Sequence, residues 1–457
     1  MIDLVIRGGT IVTPHGTVQA DIGIREERII AIGRELVGRE TIDAFGKLVL
    51  PGVIDAHTHM AAENYGISSS DDFLTGTIAA ACGGVTTIID FTVGDPKTSI
   101  PEEIEARKQE AAPSVIDYAL HAEVIGWEPG REEEFEHAFA AGVGSFKFYM
   151  TYGSLGQRSD SAVLYHAFRK IAALGGVALV HAEDDPIIES LLAQLTPAQK
   201  AAMDSYPSTR PPICEGLAIA EAAVLAGETG ARLHVVHVSS ALGLEALRRA
   251  RMYGVHITGE TCPQYLLLTE DVYKEPEGHL FSVMPPLRTQ ADQEALWEGL
   301  RDGTLAFIAT DHCPFTREQK KWHGSFLDIP YGLPGVETLL PLVYSEGVVK
   351  GRIALTDVPL LLSERPARIN GIYPKKGTLR IGADADIVVF DPNEEWVISA
   401  DKLHMATDFS PYEGWTVNGR VDTVLLRGKV VYSDGEFRGK EGAGGFVPFV
   451  GDRATMQ

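Results

Sequence analysis

The sequence predicts an α/β protein, a (β/α)8 TIM barrel carried by a smaller β domain that both chain ends build together. Three observations predict it. Through the middle of the chain, apolar runs of strand length alternate with longer stretches of helical periodicity, the pattern of repeated βα units. Eight such runs fall within about 260 residues, the size of a TIM barrel. The two ends share a different texture, short alternating strands broken by Gly and Pro turns.

Residues 1–50 hold Leu4-Val5-Ile6, Asp21-Ile22-Gly23-Ile24 and Arg28-Ile29-Ile30-Ala31-Ile32, and read as the N-terminal part of the β domain. Residues 51–374 read as the barrel, with apolar runs at 49–56, 86–91, 116–121, 145–149, 177–181, 233–238, 256–260 and 305–310. An open doubly wound sheet is the alternative, but no Gly-rich phosphate loop follows the first run. Residues 375–457 return to the β texture in Asp384-Ala385-Asp386-Ile387-Val388-Val389-Phe390 and Val421-Asp422-Thr423-Val424-Leu425-Leu426, followed by a tail. Chain ends often lie close together, so a barrel inserted between them is the simplest arrangement.

The chain of 457 residues has a net charge of −23, which argues against a nucleic-acid partner because phosphate binding needs clustered Lys and Arg. No apolar run is long enough to span a bilayer and the N-terminus lacks a leader pattern, so no membrane partner and a cytoplasmic location are expected. Cys82, Cys214, Cys262 and Cys313 are scattered without C-x-x-C spacing and read as reduced thiols.

The first barrel run ends in His57-Thr58-His59. Residues i and i+2 of a strand point the same way, so the two imidazoles stand together. Active sites of such barrels lie at the C-terminal strand ends. There, run four carries Lys147, run five closes with His181, run six with His237 and run eight with Asp311. Singly, each has a bland reading as core histidine, snorkelling lysine or helix cap. Jointly, they would have to coincide at one end of the barrel by chance. Imidazoles and a carboxylate suit zinc or a similar divalent ion, and this many ligands suit two ions. A protonated Lys147 would be repelled by cations. A buried, neutral amine can instead add carbon dioxide, and the resulting carbamate would bridge both ions. A Schiff-base lysine is the competing idea, but it needs no histidines. The remaining histidines, among them His121, His234 and His312, read as satisfied core or surface residues, with His312 nearest the mouth.

At these positions the sequence resembles the cyclic amidohydrolases, most closely bacterial hydantoinases and dihydropyrimidinases, along essentially the whole chain. The motifs are Pro51-Gly52-Val53-Ile54-Asp55-Ala56-His57-Thr58-His59, Gly83-Gly84-Val85-Thr86-Thr87-Ile88-Ile89-Asp90, Ser145-Phe146-Lys147, Glu260-Thr261-Cys262-Pro263-Gln264-Tyr265, Thr310-Asp311-His312-Cys313-Pro314-Phe315 and Gly382-Ala383-Asp384-Ala385-Asp386. Asp72-Phe73-Leu74-Thr75-Gly76-Thr77 is similar to the phenylhydantoinase branch. The resemblance implies that the β domain is a sandwich. It implies two divalent ions, zinc by expectation, with His57, His59 and Asp311 on one, His181 and His237 on the other, and N6-carboxylated Lys147 between them. It further implies attack of a bridging hydroxide on the ring amide of 5-substituted hydantoins or 5,6-dihydropyrimidines, giving N-carbamoyl amino acids. Asp311 would shuttle the proton and Tyr152 would stabilise the oxyanion. A homotetramer is implied as well.

Two positions depart from the family pattern: Met284 stands where serine is usual, and Tyr331 where asparagine is usual. Family enzymes read the ring there through backbone groups, so Met284 and Tyr331 remain substrate-binding candidates. Mouth-loop residues such as Met60, Tyr65, Phe91 and Leu155 suit an apolar ring substituent. Allantoinase and L-selective hydantoinase share the ligand set and remain alternatives. Dihydroorotase is disfavoured because no cation follows the His-x-His. A non-catalytic scaffold relative is disfavoured because all six ligand positions are filled. The glycine-rich tail from Arg438 reads as a frayed end or as an arm lying on a neighbouring subunit.

Overall fold

The computed structural model describes residues 1–64, 66–128 and 130–451; Tyr65 of the mouth loop lies outside them. Eight parallel strands run in chain order around the barrel: β1 Val53–Thr58, β2 Val85–Phe91, β3 Asp117–Glu123, β4 Ser145–Tyr149, β5 Val177–His181, β6 Arg232–Val235, β7 Ile257–Thr261 and β8 Phe307–Ile308. Every residue of β1, β2 and β5 is buried. Strands covered on both faces read as continuous apolar runs, which is why the sequence displayed them plainly. The barrel closes between its first and last strands. Thr58 bridges His312 in parallel, and the buried Asp55 carboxylate accepts from the Thr310 N–H at 3.0 Å and from its hydroxyl.

The run at 49–56 proves to be two strands. Leu48–Pro51 pairs with Ile2–Thr13 and with Ile387–Val397 in the terminal sheet, and only Val53 onward enters the barrel. Gly52 makes the crossing possible, since a Cβ there would lie 2.0 Å from the Thr86 hydroxyl. The run at 233–238 is also shorter than expected, ending at Val235, and that at 305–310 is ordered as strand only over Phe307–Ile308. His237 and Asp311 stand just beyond, with φ of +39° and +55°, a left-handed backbone that breaks a β ladder.

The termini form one nine-stranded sheet in which Leu48–Pro51 links the N-terminal strands to Ile387–Val397 and Thr416–Leu426. Its core takes Ile6, Ile22 and Ile24 from one end and Ile387, Val389 and Leu425 from the other. A buried charge knot fastens this unit to the barrel. The Lys376 ammonium lies 2.5 Å from Asp117 of β3 and 2.6 Å from Asp386, while Arg427 also pairs with Asp117.

As far as Gly451 the tail lies on its own barrel. Tyr118 donates to the Gly445 carbonyl, Val447 to that of Tyr118, and Phe449 to that of Gly142, at 3.0, 2.7 and 2.8 Å. Phe449 then packs beside Phe139, Val177 and Val236 across the barrel floor. All four cysteines are buried and free. Among the described residues, no helix is long and apolar enough to cross a membrane.

Candidate metal centre

The C-terminal strand ends open into a cavity of about 230 Å³. All six candidate ligands line it, as do Tyr152, Met284 and Tyr331. The geometry is tightest around His57, His59 and Asp311. Nε2 of His57, Nε2 of His59 and Oδ1 of Asp311 form a triangle with every edge 3.2 Å. A tetrahedral zinc with ligands at about 2.0–2.1 Å would hold its donors roughly 3.3 Å apart, so this donor set fits such an ion. On the far side, the His181 and His237 rings lie 4.5 Å apart in an edge contact, and His237 lies 5.5 Å from His57. Lys147 lines the same cavity, its amine 5.2 Å from the ring centres of both Phe91 and Tyr149.

Burial sets the protonation states. It lowers the pKa of His57 and His181, and that of His237 further, where the charges of His181, Lys147 and His57 add to it. Neutral imidazole is the ligating form. Burial also brings the Lys147 amine down to about 8, against the pull of Asp311 and Glu260. For Asp311 burial pushes upward, but His57, His59 and Lys147 together outweigh it, leaving the carboxyl below its usual range and ionised.

The sequence reading missed the residues behind the candidate ligands. Glu260, on β7, takes His57 Nδ1 at 2.5 Å on one oxygen and His234 Nε2 at 3.0 Å on the other. This turns His57 Nε2 towards the triangle. Glu183 holds His181 Nε2 at 2.7 Å and is itself paired with Arg210 at 2.5 Å. Arg210 in turn sits 5.6 Å over the Tyr152 ring. A signal existed for the two carboxylates: Glu260 ends the seventh apolar run, and Glu183 follows His181 by two residues. Arg210 has no local signal.

Three site residues occupy the left-handed region without being glycine: Tyr152 at φ +66°, His237 and Asp311. Such strain concentrates where the surrounding fold dictates a side chain's direction. The Tyr152 hydroxyl lies 3.3 Å from the Met284 sulfur, and its ring is 5.2 Å from that of His181. Tyr331 fits its bulk by packing on Tyr206 at 5.2 Å, with its hydroxyl donating to the Phe326 carbonyl at 2.6 Å.

The bland readings of the other histidines hold. His121 is bonded to Ser145 and the Ala56 carbonyl, and buried His312 to Asp71 and the Gly335 N–H. Two further donor groups among the described residues have internal partners. Lys376 fills the group of Asp117, Asp384 and Asp386. In the group of Cys82, Glu337 and His404, the last two bond to each other at 2.7 Å.

Comparison with known proteins places this site in context. Residues 48–431 match the amidohydrolase family. The chain is 41% identical over 451 residues to a D-hydantoinase of Rhizobium radiobacter, covering 97% of this chain and 98% of that protein. It is 39% identical over 458 residues to a D-phenylhydantoinase of Escherichia coli O1:K1 / APEC, covering 98% and 99%. The crystal structure of dihydropyrimidinase from Brevibacillus agri NCHU1002 matches with a TM-score of 0.95 at 38% identity, covering 98% of each chain. From this match and from the full-length relatives, the chain belongs to the amidohydrolase family.

Proposed function

We propose that the protein hydrolyses the cyclic amide of 5-substituted hydantoins and 5,6-dihydropyrimidines to N-carbamoyl amino acids. The observation that carries this reading is the equilateral donor triangle of His57, His59 and Asp311 in a cavity also lined by Lys147, His181 and His237. It is joined by the names of the full-length relatives. In this reading His57, His59 and Asp311 would hold one divalent ion, His181 and His237 would hold a second, and Lys147, carboxylated, would serve as a further ligand, with zinc as the metal. When bound, such ions polarise a carbonyl and make water a nucleophile at neutral pH.

The protein's own groups do the rest. Asp311, kept ionised, accepts a proton from the attacking water and returns it to the departing ring nitrogen. The Tyr152 hydroxyl donates to the oxyanion that develops on the ring carbonyl. Backbone groups at Met284 and Tyr331 hold the ring edge. The same reading divides the chain at 50/51 and 374/375 and takes the protein to be a cytoplasmic homotetramer.

The test is ring opening by the zinc-loaded protein with 5-phenylhydantoin, dihydrouracil, allantoin and dihydroorotate side by side. Preference for the first two supports the proposal, and the handedness of the product separates D from L selectivity. Turnover confined to allantoin or dihydroorotate would refute it.

A further inference from the structure

Three segments meet behind one wall of the cavity: 282–284, 313–320 and 330–332. Val283 and Met284 from the first, Cys313 from the second, and Tyr331 and Gly332 from the third all line the cavity. Fully buried Ser282 joins them. Its hydroxyl donates to the Pro330 carbonyl at 3.0 Å, and its own carbonyl accepts from the Gly332 N–H at 3.0 Å. Lys320 converges on the same residue, with Nζ 2.9 Å from the Ser282 carbonyl oxygen and 2.8 Å from its Oγ.

Lys320 is wholly buried. Withdrawing an amine from water is costly, and an apolar side chain of similar length would fill the space without that cost. What the amine adds is direction, since both of its acceptors belong to Ser282. The junction has little slack. Gly332 has a φ of +150°, and a Cβ there would lie 2.3 Å from the Cys313 carbonyl oxygen. Lys320 also belongs to the loop that follows Asp311, where its N–H bonds the Thr316 carbonyl at 2.9 Å. One contact therefore couples the chain that carries Asp311 to both segments at the ring edge.

We propose that Lys320 is a positioning residue which, by clasping Ser282, sets the spacing between the Val283–Met284 and Tyr331–Gly332 backbones and thereby the fit of the ring edge. The inference rests on the function proposed above. Moving those backbones weakens ground state and transition state alike, so the signature is a raised KM with kcat preserved.

The experiment compares zinc-loaded wild type with Lys320→Met, Ser282→Ala and the double variant, using 5-phenylhydantoin kinetics and hydrogen exchange at 282–284 and 330–332. Each single variant is expected to raise KM about tenfold with kcat within about threefold of wild type, and to speed exchange in those two segments. The double variant is expected to fall short of the sum of the singles, because both changes remove the Nζ–Oγ bond. Unchanged KM and exchange in Lys320→Met, or effects that simply add, would overturn the clasp. Should Lys320→Met not fold, Lys320→Gln takes its place under the same two criteria, with Ser282→Ala testing only the Nζ–Oγ bond. A wild type inactive on every cyclic amide overturns the proposed function instead, and exchange still judges the clasp.

Discussion

Replacing Glu260 with glutamine tests whether the candidate ligands are held in place from behind. The carboxylate accepts from two ring nitrogens at once, His57 Nδ1 at 2.5 Å and His234 Nε2 at 3.0 Å, and is only 1% exposed. Burial pushes its pKa up, but His57 and His234 outweigh that and hold it far below the usual range, so the native acceptor is anionic on both oxygens. Glutamine has one acceptor oxygen and one donor nitrogen. Either His57 or His234 must then face an N–H with its own N–H or shift its ring proton to the other nitrogen, which for His57 is the one aimed at the donor triangle. An unmatched buried donor costs about 1–3 kcal/mol, which is roughly a 5- to 150-fold change in an equilibrium constant. If His57 is the one displaced, zinc affinity falls within that range, in line with the roughly 10- to 100-fold cost of losing a group behind a metal ligand. The assay is zinc competition against a chromogenic chelator, read beside the thermal midpoint. Unchanged zinc affinity together with an unchanged thermal midpoint in a folded Glu260→Gln protein would refute the reasoning. It would mean that packing alone, not the carboxylate, orients His57.

Further expectations follow from other parts of the structure. Asp311→Asn should lower kcat by about 10²–10⁴, the usual worth of a positioned acid–base group; ring opening at the wild-type rate with full zinc content would remove Asp311 from that role. Tyr152→Phe should lower kcat by about 10²–10³ with little change in KM, and a change in KM alone would reassign Tyr152 to binding. Burial raises the Glu103 carboxyl to about 8, and its Oε2 has no hydrogen-bond partner. A folded-state pKa above the ordinary 4.5 means that the stability this group contributes is intact below pH 4.5 and is lost as pH rises towards 8. Glu103→Gln should therefore gain thermal stability over wild type between pH 5 and pH 9, and parallel melting curves would contradict this. Deleting residues beyond Gly439 should lower the melting temperature, with half-buried Phe449 alone worth about 2 kcal/mol. Solution mass should stay unchanged, because the tail's bonds are to its own barrel.

The barrel was legible because parallel strands buried on both faces leave uninterrupted apolar runs, and the ligand-type residues stood where those runs end. The boundaries were less legible for a local reason. Val49 and Leu50 are as apolar as Val53 and Ile54, yet Gly52 passes the chain from one sheet to another, a decision made by the nearness of Thr86 and invisible in hydrophobicity. His237 and Asp311 were found as chemistry, while their left-handed backbone, which ends the strands early, is imposed by the assembled site. Arg210 could not be found at all. Its partner Glu183 is 27 positions away, and a contact over that separation leaves no periodic trace.

The floor of the barrel has a bearing on how the protein is made. A chain emerges from the ribosome N-terminal end first, and domains generally fold as units. Here Leu48–Pro51 waits for Ile387–Val397 before its second edge is paired. The strand starts around Tyr118 and Gly142 stay uncovered until Gly445, Val447 and Phe449 have been synthesised. Completion of the barrel is thus tied to synthesis of the chain through Phe449. A nascent chain cut short after Asp311 would carry all six candidate ligands while exposing an apolar floor, the kind of surface that chaperones and proteases recognise.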